Sequence, residues 1–122
     1  MVRVLIVDDD EDLLEMVSMM LRASGMEVWG LTNGDGLIAA IEAHSPQIIL
    51  MDIYMGEQDG RQLCRKIKNS TLYRNLPVIL YSAGNIPPAS ITASGADFFL
   101  NKPFDMKTLV SKIKQMTGVM EL

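Results

Sequence analysis

Cysteine, histidine and tryptophan occur once each in this 122-residue chain, and each scarcity removes a class of protein. With Cys64 alone, no intrachain disulfide can form, so a disulfide scaffold is excluded and a reducing, cytoplasmic setting is expected. Cys64 reads as a small hydrophobe beside Leu63 and Ile67 on a helix. The only histidine, His44, falls at a predicted helix end just before Ser45-Pro46 and reads as a surface residue, not as a phosphotransfer histidine. No apolar run approaches the roughly 18 residues of a membrane span. The opening Met-Val-Arg-Val-Leu-Ile-Val turns sharply acidic, without the longer apolar core of a signal peptide. Basic residues are too few for a nucleic-acid face: the net charge is −4, whereas a phosphate backbone demands positive charge. Repeats, low-complexity stretches and linkers are also missing, and the length suits one domain over residues 1–122.

What is present is order along the chain. Apolar runs of a few residues alternate with stretches of helical period, the pattern of repeated βα units. Residues 2–7 predict a strand. Leu13, Leu14, Val17, Met20 and Leu21 stripe a helix that ends at Gly25. A weaker strand over 26–31 precedes a helix carrying Leu37, Ile38 and Ile41, which stops before Ser45-Pro46. A third strand spans 47–52, and Asp59-Gly60 opens a helix with Leu63, Cys64 and Ile67. A fourth strand covers 78–81. Pro87 and Pro88 allow only a short helix, with Pro in its first turn. A fifth strand at about 96–101 leads into a last helix striped by Met106, Leu109, Val110, Ile113 and Met116. Five strands joined by helices predict a doubly wound α/β fold: a parallel sheet with helices on both faces and every strand C-terminus on one edge.

The chemistry collects at that edge. The first strand runs into Asp8, Asp9 and Asp10, the third ends in Asp52, the fourth meets Ser82, and the fifth is followed by Lys102-Pro103. Gathered carboxylates repel: two unit charges about 5 Å apart at an effective dielectric near 20 cost roughly 3 kcal/mol. Mg²⁺ is the natural compensating partner, a hard cation held by one or two carboxylates, water and a phosphate. Asp9 and Asp52 suit direct ligation and Asp8 ligation through water. Lys102 supplies a point charge, and Ser82 a hydroxyl for a phosphoryl oxygen. Asp10, Glu11 and Asp12 are better explained as the cap and first turn of a helix.

These residues carry a family resemblance over the whole chain. Val7-Asp8-Asp9-Asp10, Leu50-Met51-Asp52-Ile53-Tyr54-Met55, Asp59-Gly60, Ser82-Ala83 and Gly95-Ala96-Asp97-Phe98-Phe99-Leu100-Asn101-Lys102-Pro103-Phe104 resemble, in order and spacing, a receiver domain of a two-component response regulator. The resemblance implies a flavodoxin-like five-stranded sheet of order 2-1-3-4-5. It implies that Asp52 accepts a phosphoryl group from a histidine kinase or histidine phosphotransfer protein. Asp8, Asp9, Asp52 and the backbone carbonyl of Tyr54 would hold Mg²⁺, while Ser82 and Lys102 contact the phosphoryl group. Phe99 matches the aromatic switch position. Output would pass to a downstream protein target or effector domain, or through a weak or phosphorylation-dependent dimer, with no direct nucleic-acid or membrane contact. On this reading the chain is a phosphoacceptor signalling domain and not an enzyme in the ordinary sense.

Three departures from the family pattern stand out. Gly56 and Gln58 replace a common proline and a hydrophobic residue, which predicts a more mobile loop after Asp52. Phe99 replaces the frequent tyrosine. The interval from Ser82 to Lys102 is about two residues short, which puts the usual fourth helix and output face in question. A flavin binder of the same strand order would need a glycine- and hydroxyl-rich phosphate loop where Asp8 to Asp12 stand. A phosphatase with its nucleophile after the first strand would need a different motif there and a longer chain. A phosphorylation-independent binding module is the remaining rival, and retention of the acids, the hydroxyl and the lysine counts against it.

Overall fold

The computed structural model describes residues 1–118; residues 119–122 of the expected single domain lie outside the described residues. Its elements run β1 (Arg3–Val7), α1 (Glu11–Ala23), β2 (Glu27–Leu31), α2 (Leu37–His44), β3 (Ile48–Asp52), β4 (Tyr54–Met55), β5 (Gln58–Asp59), α3 (Gly60–Asn69), β6 (Val78–Ser82), α4 (Pro88–Ser94), β7 (Phe98–Asn101) and α5 (Met106–Met116). Five strands form one parallel sheet in the order β2-β1-β3-β6-β7. This is the anticipated 2-1-3-4-5 arrangement once the two short strands β4 and β5 are set aside.

Strand periodicity divides the core into two layers, because successive side chains leave a strand on opposite faces. Val4, Ile6, Ile48, Leu50, Ile79 and Tyr81 face α1 and α5, packing with Val17, Leu21, Leu109 and Ile113. Leu5, Val7, Ile49, Met51, Val78 and Leu80 face the opposite layer, with Leu37, Ile41, Cys64 and Ile67. Every residue of β3 and β6 is buried, whereas the outer strands β2 and β7 each bury one residue fully and leave the rest half-buried or exposed. Central strands covered on both faces read as near-continuous apolar runs, here broken at the terminal Asp52 and Ser82. The order in which strands are added reverses between β1 and β3, so a crevice opens at their C-terminal ends.

Short-range chemistry sets the helix ends. Asp10 caps α1, its carboxylate accepting from Leu13 N–H at 3.1 Å, with Glu11 and Asp12 in the first turn. α2 closes on Ser45, whose φ of 47° is left-handed, and Pro46 then forbids continuation. α4 starts with Pro88 in its first turn and remains a short helix. His44 is half-buried and stacks on Trp29 with ring centroids 4.5 Å apart, so it is more than the surface residue expected.

The loop after Asp52 is not the loose segment that Gly56 and Gln58 suggested. β4 and β5 pair antiparallel, Tyr54 with Asp59 and Met55 with Gln58. Gly56, at φ +59°, takes the first position of the intervening turn. Glycine reaches that angle freely, and a proline there would be excluded by its fixed negative φ.

Candidate functional site

Asp8 follows directly on β1 and is fully buried. One carboxylate oxygen accepts from the Tyr81 hydroxyl at 2.7 Å and the other from Asp10 N–H at 2.9 Å. Its backbone N–H donates to Leu31 O at 3.0 Å, fastening the end of β1 to the end of β2. Asp9 beside it is exposed. Asp52 is the last residue of β3, in register with Tyr81 on β6, and only 7% exposed. One carboxylate oxygen from each of Asp8, Asp9 and Asp52 lies within 4.8 Å of the other two.

Lys102, just past β7, is the facing cation. Its Nζ stands 3.4 Å from Asp52 Oδ2, 3.7 Å from Asp8 Oδ2 and 5.0 Å from the Tyr81 ring centroid. Its backbone N–H donates to Ser82 O at 2.9 Å, so the β6–β7 ladder itself carries the lysine to the site. The Lys102-Pro103 peptide bond is cis. Ser82 is the last residue of β6, not the first residue beyond it, and is buried. Its Oγ accepts from Gly84 N–H at 3.2 Å, and a hydroxyl that accepts still has a proton to donate.

Three carboxylates against one lysine leave the edge short of positive charge. Burial, and after it the Asp8 charge, pushes Asp52 from the ordinary 3.8 up to about 6, although Lys102 opposes the rise. Burial and then the Asp8 charge also push the Tyr81 phenol far above its ordinary value, so Tyr81 remains a donor to Asp8. An oxygen-only donor set with excess negative charge, two of its three carboxylates buried, suits a hard divalent cation. Asp8, Asp9 and Asp52 fit such an ion.

Tyr54 opens β4 with an exposed side chain. Gly60 N–H donates to Ile53 O at 2.7 Å, so the alternation of an antiparallel ladder turns the Tyr54 carbonyl away from β5. Gly60 is required where it stands, since a Cβ there would fall on the Asp52 carbonyl. Phe99, half-buried on β7, packs against the layer of α2 and α3. It borders a surface cavity of about 480 Å³ with Ile86, Pro88, Ile91 and Asn101. The structure thus brings Asp8, Asp9, Asp52, Ser82 and Lys102 to one sheet edge, and sets Phe99 one strand out.

Sequence reasoning missed Tyr81 and misread Gln58. Tyr81 closes the apolar run of the fourth predicted strand, where periodicity marks it as strand and nothing more. Its place one residue before Ser82, in register with Asp52, was the available signal. Gln58 accepts from Gly34 N–H at 2.7 Å and donates to Asp35 Oδ1 at 2.9 Å, contacts that no local pattern announces. Arg61 was also passed over. It forks onto Asp59, with a shortest contact of 2.6 Å, donates to Ser90 Oγ at 3.1 Å, and lies 5.5 Å from the Tyr54 ring centroid.

The fold and the acidic edge define a class, and comparison with known proteins names it. The chain matches the response regulator receiver domain over residues 4–114 and belongs to that family. It is 32% identical to Protein PilG of Pseudomonas aeruginosa, over 92% of this chain and 84% of that protein. It is also 32% identical to part of the CAI-1 autoinducer sensor kinase/phosphatase CqsS of Vibrio cholerae, covering 91% of this chain. The chain spans only 17% to 44% of the length of that protein and other relatives of similar rank. Among solved structures, the signal receiver domain of a signal transduction histidine kinase from Syntrophus aciditrophicus superposes with a TM-score of 0.89. Identity there is 28%, over 99% of this chain and 93% of that one.

Proposed function

We propose that Asp52 is the phosphoacceptor of this receiver domain and that Mg²⁺ is held by Asp8, Asp9, Asp52 and the Tyr54 backbone carbonyl. One observation carries the reading: a buried carboxylate at the central strand end, 3.4 Å from a lysine and within 4.8 Å of two further carboxylate donors. In its ionised form Asp52 attacks phosphorus, forming an acyl phosphate O–P bond as the bond from phosphorus to the donor nitrogen or oxygen breaks. Lys102 lies beside the carboxylate and meets the added charge, and the Ser82 hydroxyl donates to one phosphoryl oxygen. When bound, the cation neutralises the carboxylates and the phosphoryl oxygens. Phosphoryl transfer needs positioning and charge neutralisation more than covalent machinery, which is why so small a site suffices.

The phosphoryl source is a histidine kinase or histidine phosphotransfer protein, and the receiver passes its state to a protein target or effector domain, with a weak or phosphorylation-dependent dimer as one output. Ser82 turning toward the phosphoryl group vacates space for Phe99, linking the site to the face of α4, β7 and α5. The protein acts in the cytoplasm as a signalling domain whose chemistry is confined to its own Asp52. The test is intact-mass analysis after incubation with acetyl phosphate and Mg²⁺. One added phosphoryl group is expected in the wild type and none in Asp52→Asn; equal modification of the two overturns the assignment.

A further inference from the structure

We propose that Gln58 is a positioning residue for the phosphoacceptor site, clamping the hairpin after β3 to the loop after β2. The proposal rests on the reading of Asp52 as phosphoacceptor. The hairpin is continuous with the site: Ile53 O accepts from Gly60 N–H at 2.7 Å, and Gly60 lies against the Asp52 carbonyl with no room for a Cβ. A tilt of β4 and β5 therefore moves the Asp52 backbone and the Tyr54 carbonyl together. The loop after β2 is equally continuous with the site, because Leu31 O accepts from Asp8 N–H at 3.0 Å.

The Gln58 amide closes the gap between these two anchors. Its Oε1 accepts from Gly34 N–H at 2.7 Å and its Nε2 donates to Asp35 Oδ1 at 2.9 Å. Both halves of a planar amide are thus engaged on one loop, which fixes its orientation as well as its distance. The approach is built in on the other side too. Gly34 is buried, and a Cβ there would lie 2.5 Å from Leu63 Cδ1 and 3.3 Å from Gln58 Oε1. A side chain at 34 would have to push the end of Leu63 aside and crowd the Gln58 amide. A hydrophobic residue at 58 would pack against Leu63 but leave Gly34 N–H and the Asp35 carboxylate without these partners.

The bond pattern allows a test by exchange of donor and acceptor. In Gln58→Glu the donor to Asp35 is lost and two carboxylates face each other. Adding Asp35→Asn restores both bonds, since the carboxylate now at position 58 accepts from Gly34 N–H and from the amide now at position 35. The net charge also returns to that of the wild type. The measurements are the rate of Asp52 phosphorylation by acetyl phosphate at saturating Mg²⁺, Mg²⁺ affinity by calorimetry, and the urea midpoint. Loss of a net hydrogen bond predicts a rate or affinity lower by roughly three- to tenfold in Gln58→Leu and Gln58→Glu. The exchanged pair should return to within about twofold of the wild type, as should Asp35→Asn alone, whose amide oxygen still accepts.

Wild-type rate and affinity in Gln58→Leu, or a shift of the urea midpoint alone, would overturn the clamp. So would an exchanged pair no better than Gln58→Glu, and that comparison decides the matter if Gln58→Leu does not fold. A wild-type protein that takes no phosphoryl group on Asp52 instead defeats the underlying reading, a result distinct from Gln58 variants that match a competent wild type.

Discussion

Replacing Asp52 by asparagine should stabilise the ion-free protein, and the size of the gain follows first from the burial of its carboxylate and then from the neighbouring Asp8 charge. Folding moves this carboxyl from an ordinary 3.8 to about 6, so the native state holds the proton more tightly than the unfolded chain does. The stability contributed by this group is then fully present below about pH 3.8 and is lost as pH rises through 6. Above pH 7 the native state carries the whole cost, about 3 kcal/mol at 1.36 kcal/mol per pKa unit. Asparagine keeps the shape and removes the charge, but also weakens the 3.4 Å contact with Lys102, so 3 kcal/mol is the ceiling. In urea titrations at pH 8 with a chelator, Asp52→Asn should unfold at a midpoint higher by up to roughly 1–3 M. The advantage should fade toward pH 4. Added Mg²⁺ should narrow it at pH 8, because an ion that binds the folded wild type stabilises it by mass action. An Asp52→Asn protein no more stable than the wild type at pH 8 in chelator would refute the reasoning, since burying the ionised carboxylate beside Asp8 would then carry no cost.

Other perturbations separate the parts of the site. Tyr81→Phe removes the buried donor to Asp8 and should cost about 1.5–3 kcal/mol in urea unfolding, with the loss largest when Mg²⁺ is absent; an unchanged midpoint would show that the contact carries nothing. Gly60→Ala forces a Cβ onto the Asp52 carbonyl and should destabilise by roughly 1–3 kcal/mol or more, read as a lower melting temperature. Asp9→Ala should abolish Mg²⁺ binding by calorimetry, whereas Asp8→Ala should weaken it. Ser82→Ala should still accept a phosphoryl group on Asp52 but lose most of the chemical-shift response around Phe99 to beryllofluoride, a phosphoryl mimic; identical responses in the two proteins would rule out the coupling.

The fold was legible because its signals are periodic and local. Runs such as Ile48-Ile49-Leu50-Met51 can be buried on both faces only in a central strand, and Asp10, Ser45 and Pro88 mark helix ends by chemistry that acts within a few residues. The site was legible for a topological reason. A parallel sheet with right-handed crossovers brings all strand C-termini to one edge, so residues as distant as Asp8 and Lys102 can be placed together from strand ends alone. Small boundary differences, such as Ser82 closing β6 and β7 beginning at Phe98, leave that convergence intact.

What could not be read depends on side chains that meet without any periodic cause. The Tyr81 hydroxyl reaches Asp8 across 73 positions, and a tyrosine in an aliphatic run looks like core until the register with Asp52 is known. Gln58 reads as a lost hydrophobic contact because its two partners, Gly34 and Asp35, lie on a loop more than twenty positions away. Arg61 joins Asp59, Tyr54 and Ser90, and Ser90 belongs to the short α4 whose start is set by Pro87-Pro88. Such bonds are individually modest, about 0.5–3 kcal/mol net with those to charged groups at the upper end, too weak to impose a pattern on the sequence. They can still decide where a hairpin sits relative to a carboxylate. The same weakness makes them adjustable, since residues at Gln58 or Arg61 can change without disturbing either core layer. The acidic edge is bound to the strand ends that build the sheet, whereas the Gln58 tie runs from the short β5 to the loop after β2.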